Sequence, residues 1–194
     1  MVFDLIDQHI ATSIDLSPEE KELFHSLLRS KKVKKKIFLL QEGEVCDFEA
    51  FIVKGCIRTY YVNNDGSETI LTFATEGWWV SDLASFTERK PSRMFIETLE
   101  DSEILIIDYN SKQALFRQIP KFELFFRLLV QRALFTLQSR FHAVVSQTAE
   151  QRYLDFIERY PQLVQRVPQH QIARYIGVSP EFLSKLRSSL LRKK

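Results

Sequence analysis

Between Lys32 and about Ile107 the chain is a series of short runs of β-branched and aromatic residues separated by turn residues. The runs have the length and composition of β-strands, as in KKIFLLQ, EAFIVKG, CIRTYYV, ETILTFA and EILIID. Glycines divide them at intervals of eleven or twelve residues, at Gly43, Gly55, Gly66 and Gly77. Many short strands at such regular spacing predict a closed antiparallel β-roll of the jelly-roll type. The clearest hairpin turn is Asn63-Asn64-Asp65-Gly66, because these residue types tolerate positive φ.

Helices are predicted on both sides of this strand region. Residues 17–20, Ser-Pro-Glu-Glu, supply a capping hydroxyl, a first-turn proline and two acids, so we expect a short amphipathic helix from about Ser17 to Ser30. After Asp108 the apolar spacing becomes helical, with one long helix over about 120–147 and another over about 148–160. The predicted fold class is therefore α+β, with an N-terminal antiparallel β-roll, a long central helix and a C-terminal helical domain.

The long helix carries a stripe of apolar residues that recur every three or four positions: Phe126, Val130, Ala133, Leu137, Phe141 and Val144. Such a stripe, which spans nearly three heptads from Phe126 to Val144, is what a two-stranded coiled coil requires. Packing on the chain's own β-roll is the alternative. Other apolar residues widen the surface beyond one stripe: Phe125, Leu128, Leu129 and Leu134. We therefore expect the helix to do both, and the chain to form a homodimer through the stripe.

The segment PQHQIARYIGVSPEFLSKLRSSL has the pattern of a helix-turn-helix. Two short helices that cross at a steep angle need a small residue at the crossing and a residue able to take positive φ in the turn. Ala173 and Gly177 meet these needs, and Val178 follows as an apolar contact. Ser179 is placed to cap a second helix that begins at Pro180. A packed helical hairpin with a basic surface is the alternative interpretation.

In a DNA-binding helix-turn-helix the second helix enters the major groove. The outward face of this helix is predicted to hold Pro180, Glu181, Ser184, Lys185 and Ser188. Glu181 is suited to accept from cytosine N4, and Lys185 to donate to guanine O6 and N7. Four further residues are placed for DNA phosphates: Gln169, Arg174, Ser179 and Arg187.

The net charge of +2 is the sum of two unlike parts. From Gln151 onward there are nine Lys or Arg and three acids, which gives +6, and the remaining 18 basic and 22 acidic residues give −4. A basic excess at the C-terminal end is expected if that end binds a polyanion, so double-stranded DNA is the predicted partner. The basic tail Arg192, Lys193 and Lys194 is expected to add a phosphate contact.

Three regions follow from these patterns. We predict a sensory β-roll domain over 1–119, a central dimerisation helix over 120–147 and a DNA-binding domain over 148–194. No apolar run approaches the roughly 20 residues that a membrane span needs, so no membrane contact is expected. Cys46 and Cys56 have no metal-ligand cluster around them, and we interpret them as packing residues of a protein in a reducing cytoplasm.

The order of these elements resembles the Crp/Fnr family of bacterial transcription regulators over essentially the full length. Within the roll, GWWVSDL at 77–83 is similar to the family's turn before its short phosphate-binding helix, and IETLEDSEI at 96–104 is similar to the following strand. The resemblance implies a regulator of transcription, with RNA polymerase as a candidate partner. It also implies a cyclic nucleotide or another small molecule as the candidate effector. The corresponding effector-site residues are Gly77, Asp82, Leu83, Ser92 and Arg93.

The sequence departs from the family's pattern at functional positions. Asp82 stands where the family usually has Glu, Ser92 stands where the arginine for the cyclic phosphate should be, and Arg93 stands where the hydroxyl residue should be. A one-residue bulge that restores Arg93, or a substitution by Arg89, would be needed for the usual binding mode. In the DNA-binding part, Pro180 replaces a frequent Arg, while Glu181 and Lys185 match the family's acidic and basic reading positions.

Other functional classes are disfavoured by what the sequence lacks. Cupin enzymes hold their metal through histidines on roll strands, and no histidine occurs between His25 and His142. There is also no nucleophile elbow and no phosphate-binding glycine loop. We therefore expect neither catalysis nor a bound metal, and no cofactor is implied with certainty. A signalling module that binds a cyclic nucleotide and whose helical tail contacts protein stays open as the alternative to DNA binding.

Overall fold

The structure is a computed structural model that describes residues 2–192, with side chains through residue 191. The helices of the described chain are α1 (Asp4–Ala11), α2 (Pro18–Ser26), α3 (Leu83–Glu88), α4 (Tyr109–Gln118), α5 (Lys121–Ser146), α6 (Ala149–Arg159), α7 (Leu163–Arg166), α8 (Gln169–Ile176) and α9 (Pro180–Arg192). The strands are β1 (Arg29–Val33), β2 (Phe38–Leu40), β3 (Phe48–Lys54), β4 (Ile57–Val62), β5 (Glu68–Ala74), β6 (Trp79–Val80), β7 (Phe95–Thr98) and β8 (Ser102–Asp108). The predicted α+β class is confirmed.

The strands form two four-stranded sheets, in the orders β1-β8-β3-β6 and β2-β7-β4-β5. In the first sheet β8 is antiparallel to both β1 and β3, with Ile104 opposite Lys31 on one side and opposite Ile52 on the other. Antiparallel pairing within a jelly-roll-like domain is what the short glycine-divided runs predicted. The turn between β4 and β5 lies at the predicted position, where the Asn63 amide donates to the Ser67 carbonyl at 2.8 Å and Gly66 has a φ of +78°.

Alternation along β3 divides the core of the β-roll into two layers. Ala50 and Ile52 belong to a cluster inside the roll, whereas Phe51 belongs to a second cluster on the opposite face of the sheet. Successive strand residues point to opposite faces, so one strand contributes to both layers. Helices α1, α2, α4 and the first half of α5 cover the outer layer, to which they contribute Ile6, Ile10, Phe24, Leu115, Phe122, Phe125 and Phe126.

The helix boundaries agree closely with the sequence patterns. A capping box at Ser17 and Glu20 begins α2, and a second one at Thr148 and Gln151 begins α6. The predicted long helix is α5. Helix α1 was not predicted, although its buried Ile6 and Ile10 are four residues apart and match a helical face.

The described chain divides into two compact units. The first contains the residues up to Thr59 together with Ala74–Ala133, and the second contains Tyr60–Phe73 together with the chain from Leu134 onward. The tip of the β4–β5 hairpin therefore belongs with the C-terminal helices, and the division falls within α5. The compact units divide the chain at positions other than the predicted region boundaries, 119/120 and 147/148. Compactness does not test which region senses, pairs or binds DNA, so those boundaries stay predictions.

Candidate nucleic-acid interface

The turn between α8 and α9 has the geometry of a helix-turn-helix. Gly177 ends α8 with a φ of +77°, which is the left-handed region that favours glycine. The amides of Gly177 and Val178 both donate to the Ala173 carbonyl, the second at 3.0 Å. These bonds supply donors to a carbonyl in the last turn of α8, and the positive φ of Gly177 turns the chain toward α9. The positive φ predicted for Gly177 is confirmed, and Ala173 is fully buried, as a small residue between two helices should be.

A small apolar core holds α8 and α9 against α6. Ile172, Ala173 and Ile176 of α8 are at most 3% exposed, and Leu183 of α9 is 1% exposed. Tyr153 and Phe156 of α6 are buried as well. Burial of these side chains fixes which face of α9 points outward, because residues three or four apart share one face of a helix.

The outward face of α9 carries the polar residues that the sequence assigned to it. Glu181, Ser184, Lys185 and Ser188 are exposed, whereas Pro180 is half-buried. A depression of about 360 Å³ on this face is lined by Ser184, Lys185, Ser188 and Ser189. Four predicted reading residues thus project from one helix, with a shallow recess beside Lys185.

The first turn of α9 holds an ionised acid. The backbone N–H of Glu181 and the Ser179 hydroxyl bond its carboxylate and keep the pKa of this side chain below its usual value. The Ser179 hydroxyl also accepts from the Phe182 amide at 3.1 Å, which is the predicted capping bond. An ionised carboxylate only accepts hydrogen bonds, so Glu181 suits a base edge that presents an amino group.

The residues predicted for phosphate contacts have different environments. Arg187 and Gln169 are half-buried, and Gln169 begins α8. Arg174 forms an ion pair with Glu68 of β5, and its side chain is 33% exposed. The assignment of Arg174 to a DNA phosphate stays a prediction, and in the observed conformation its guanidinium is paired with Glu68. The side chains of the basic tail Arg192, Lys193 and Lys194 lie outside the described residues.

Two arginines that the sequence reasoning missed organise the second unit. Arg152 of α6 donates to the Ile176 carbonyl at 2.9 Å and to the Gln147 carbonyl at 2.8 Å, which ties the end of α8 to the start of α6. Arg140 of α5 donates to carbonyls of Ile70 and Tyr175. A signal for Arg140 was present, because strict four-three spacing after Leu137 falls on Arg140 and not on Phe141.

The apolar stripe on α5 changes its environment along the helix. Phe126 is 5% exposed and packs inside the first unit, with its ring centroid 5.4 Å from that of Trp79 and 4.0 Å from the Lys112 ammonium. It is therefore not available for an interface between chains, which corrects its assignment. The later stripe residues are all exposed, namely Val130, Ala133, Leu137, Phe141 and Val144. Three more exposed apolar residues adjoin them: Leu134, Phe135 and Val145.

Two of the five predicted effector residues, Asp82 and Ser92, bond to each other. Asp82 is buried, caps α3 by accepting from the amides of Ala84 and Ser85 at 3.1 Å, and accepts from the Ser92 hydroxyl at 2.7 Å. Both side chains are buried and bonded to each other, and neither faces solvent in the observed conformation. Of the other candidates, Gly77 has a φ of +81°, while Leu83 and Arg93 are exposed.

Arg89 does not replace the missing phosphate arginine. It ends α3 in the left-handed region with a φ of +57°. Its guanidinium donates to the Cys46 carbonyl at 3.0 Å and lies 5.0 Å from the centre of the Tyr109 ring. The geometry therefore gives no support to the usual mode of cyclic-nucleotide binding.

One cavity of the second unit lies among α5, α6 and α8 and has a volume of about 450 Å³. Part of its polar lining is bonded internally: Arg140 and Arg152 donate to backbone carbonyls, and Asp155 accepts from Gln147 at 2.8 Å. Among residues 2–192, no three His, Cys, Asp or Glu side chains come together as a metal site. Within the same range, no helix is long and apolar enough to cross a membrane.

Comparison with known proteins gives a consistent result. Residues 30–119 match the family model described as cyclic nucleotide-binding domain. The anaerobic regulatory protein of Bacillus subtilis (strain 168) is 28% identical over 95 residues, which are 49% of this chain and 40% of that relative. The match thus spans about two fifths of the relative's length.

Solved structures share the fold at low sequence identity. The c-di-GMP-responsive global regulator CLP of Xanthomonas campestris has a TM-score of 0.77 at 15% identity, over 91% of this chain and 93% of that chain. FixK2 of Bradyrhizobium japonicum has a TM-score of 0.75 at 16% identity, over 86% and 85% of the two chains. The catabolite activator protein of Thermus thermophilus has a TM-score of 0.59 at 18% identity, over 99% and 87%.

Proposed function

We propose that this chain is a DNA-binding transcription regulator of the Crp/Fnr family that reads duplex DNA with the outward face of α9. The observation that carries the proposal is the set of exposed polar residues on that face, opposite the buried Leu183. A helix held by an apolar core on one side and bearing an acid, a lysine and two serines on the other is suited to the major groove.

Glu181 and Lys185 are the proposed reading residues. They are four positions apart, so both project from the same face of α9. The ionised Glu181 accepts from a cytosine amino group, and Lys185 donates to guanine O6 and N7. Ser184 and Ser188 add shorter hydrogen-bonding groups on either side of Lys185. Pro180 stands in place of an arginine that often reads guanine in the family, so the family's usual half-site does not carry over to α9 by resemblance alone.

We further propose that two chains pair through the exposed part of the α5 stripe. A long helix with many exposed apolar side chains is unfavourable in water, and pairing with a second copy would bury them. A symmetric dimer would present two recognition helices to a pseudo-palindromic site. The β-roll domain is then a sensory domain without an assigned effector.

Selection of bound sites from random duplex DNA tests the proposal. We expect the full chain to enrich a pseudo-palindromic sequence, and we expect addition of cyclic AMP to leave the enriched sequence unchanged, because Asp82 and Ser92 are bonded to each other. Failure to enrich any sequence, together with binding that is equal on all duplexes, would overturn sequence-specific DNA recognition.

Replacing Lys185 by alanine tests the assignment of the reading residue. We expect a loss of about 1–3 kcal/mol in binding to the selected site, together with relaxed preference at one base pair in each half-site. Lys54→Ala is the matched control, because it removes the same charge from an exposed position of the β-roll. A loss of equal size on selected and random DNA would mean that Lys185 contacts only phosphate.

One observation favours the alternative of a protein-binding tail. Phe182 is 49% exposed on α9, and large apolar side chains are typical anchors of protein interfaces. The two functions differ in their response to Phe182→Ser, which should leave specific DNA binding intact if α9 reads bases through Glu181 and Lys185.

A further inference from the structure

The tip of the β4–β5 hairpin, residues 60–73, contacts the first helix of the helix-turn-helix within the second unit. Glu68 at the start of β5 is ion-paired with Arg174 on α8, and the two side chains are 22% and 33% exposed. The residues are 106 positions apart in sequence. A charged pair thus connects the hairpin to the helix that was expected to approach the DNA backbone.

Aromatic side chains support the same contact. The ring centroid of Phe73 at the end of the hairpin lies 5.5 Å from that of Tyr175 and 6.5 Å from that of Phe156. Tyr175 is the residue next to Arg174, so the ion pair and the ring contact hold one turn of α8. Ring pairs at these distances contribute favourably beyond the area that they bury.

Arg140 of α5 also connects the hairpin to α8, because it donates to backbone carbonyls of both. Its guanidinium donates to the Leu71 and Ile70 carbonyls, the second at 3.3 Å, and to the Tyr175 carbonyl at 3.0 Å. It also lies 3.9 Å from the centre of the Tyr175 ring, within cation–π range. The hairpin contact therefore consists of an ion pair, packed rings and a bridging arginine.

We propose that the hairpin is an autoinhibitory latch, in which Glu68 holds α8 and keeps Arg174 from binding DNA phosphate. The inference rests on the proposed DNA-binding function and adds a regulation of that site. The carboxylate of Glu68 and a phosphate oxygen compete for the same guanidinium, so Arg174 binds phosphate only after the latch opens. Opening costs the hairpin contacts, which lowers the affinity of the latched protein for DNA.

Glu68→Gln opens the ion pair while keeping the size of the side chain. We expect the full-length variant to bind the selected duplex two- to fivefold more tightly at low salt, because an ion pair that is partly exposed contributes modestly. We also expect the slope of log K against log salt to become steeper by about 0.9, which corresponds to one added phosphate contact.

Asp65→Asn is the matched control. It removes one negative charge from the same hairpin, but Asp65 bonds the amide and hydroxyl of Ser67 in the turn and not Arg174. We expect less than a twofold change in affinity and an unchanged salt slope. In an Arg174→Gln background the gain from Glu68→Gln should disappear, because the released cation is no longer present.

Hydrogen exchange of the α8 amides gives a readout without DNA, and it should be faster in Glu68→Gln than in Asp65→Asn. Wild-type protein that binds no duplex would overturn the proposed function. Wild-type binding with the two variants indistinguishable in affinity, salt slope and exchange would overturn the latch alone. Weaker binding by Glu68→Gln would also overturn it, since the contact would then support the DNA-binding conformation.

Discussion

Gly55 shows how strongly a single residue can be constrained in this fold. It connects β3 to β4 with a φ of +113°, a backbone conformation that side chains with a Cβ rarely adopt. A Cβ added there would lie 2.7 Å from the Cβ and 2.8 Å from the Cα of Ser102. One of these atoms belongs to the backbone of β8, which cannot move without disturbing its pairing with β1 and β3.

Gly55→Ala should therefore destabilise the β-roll by about 2–4 kcal/mol, from backbone strain and from steric overlap together. Gly66→Ala is the control, because Gly66 has a φ of +78° but nothing within 4 Å of an added Cβ. Strain alone should cost about 1–2 kcal/mol there. Urea unfolding of both variants measures the difference, and equal losses would contradict the steric part of the argument.

For single residues, the sequence predicted backbone conformations better than it predicted which side chains contact each other. The regular glycine spacing predicted turns, and Gly43, Gly55, Gly66 and Gly77 all have positive φ. Helical spacing placed Arg174 outside the core of the helix-turn-helix, which agrees with its partial exposure. Its pairing with Glu68 could not be predicted, because no local pattern encodes a contact across 106 positions.

At the scale of elements, α5 serves two environments in succession. Phe122, Phe125 and Phe126 are buried in the outer layer of the β-roll, whereas the exposed residues of the predicted stripe begin with Val130. Periodicity alone predicted one stripe from Phe126 to Val144, since helical spacing identifies a face but not what covers it. The helix was therefore predicted correctly, and its proposed dimer interface is shorter by one residue than expected.

Leu137→Glu tests this interface. Leu137 is 52% exposed, so the substitution leaves the core of one chain intact, but a carboxylate in the centre of a paired stripe would be buried without a partner. We expect light scattering to report the mass of one chain instead of two. Ser139→Glu adds the same charge at an exposed position about 200° around the helix and should stay dimeric. A dimeric Leu137→Glu protein would place the interface on another surface.

The success of prediction also differed among elements. Helices with strong capping residues, such as α2 and α6, were predicted within a few residues because their caps are local. Helix α1 was missed because it has only two buried residues, Ile6 and Ile10. They are buried by packing on the β-roll, which is a contact distant in sequence. The helix-turn-helix was predicted from Ala173 and Gly177, since its geometry depends on residues close in sequence.

At the scale of the whole molecule, the separation of charge agrees with the proposed partner. The chain from Gln151 onward has a net charge of +6, and the first 150 residues have −4. A basic C-terminal region is attracted to DNA, while an acidic β-roll is repelled by it. This arrangement favours encounters in which the C-terminal region meets the duplex first. The attraction is to the phosphates and does not depend on the base sequence.

The proposed dimer makes a geometric prediction about its site. Two recognition helices related by a two-fold axis contact half-sites about one helical turn, or about 34 Å, apart. Five base pairs inserted between the half-sites of a selected duplex turn one of them to the opposite side of the DNA. We expect affinity to fall about 100-fold or more, because the second helix no longer adds to the binding of the first.

Replacement of five central base pairs without a change in length is the control for this experiment. It alters the same region but keeps both half-sites on one side, so we expect most of the affinity to be retained apart from a cost for altered bending. Fluorescence anisotropy at one fixed salt concentration measures all three duplexes. If the insertion left affinity unchanged while Leu137→Glu weakened binding, the two chains would need a flexible connection between α5 and α6. If neither change mattered, each chain would bind its half-site independently, and the pairing of α5 helices would have no part in DNA recognition.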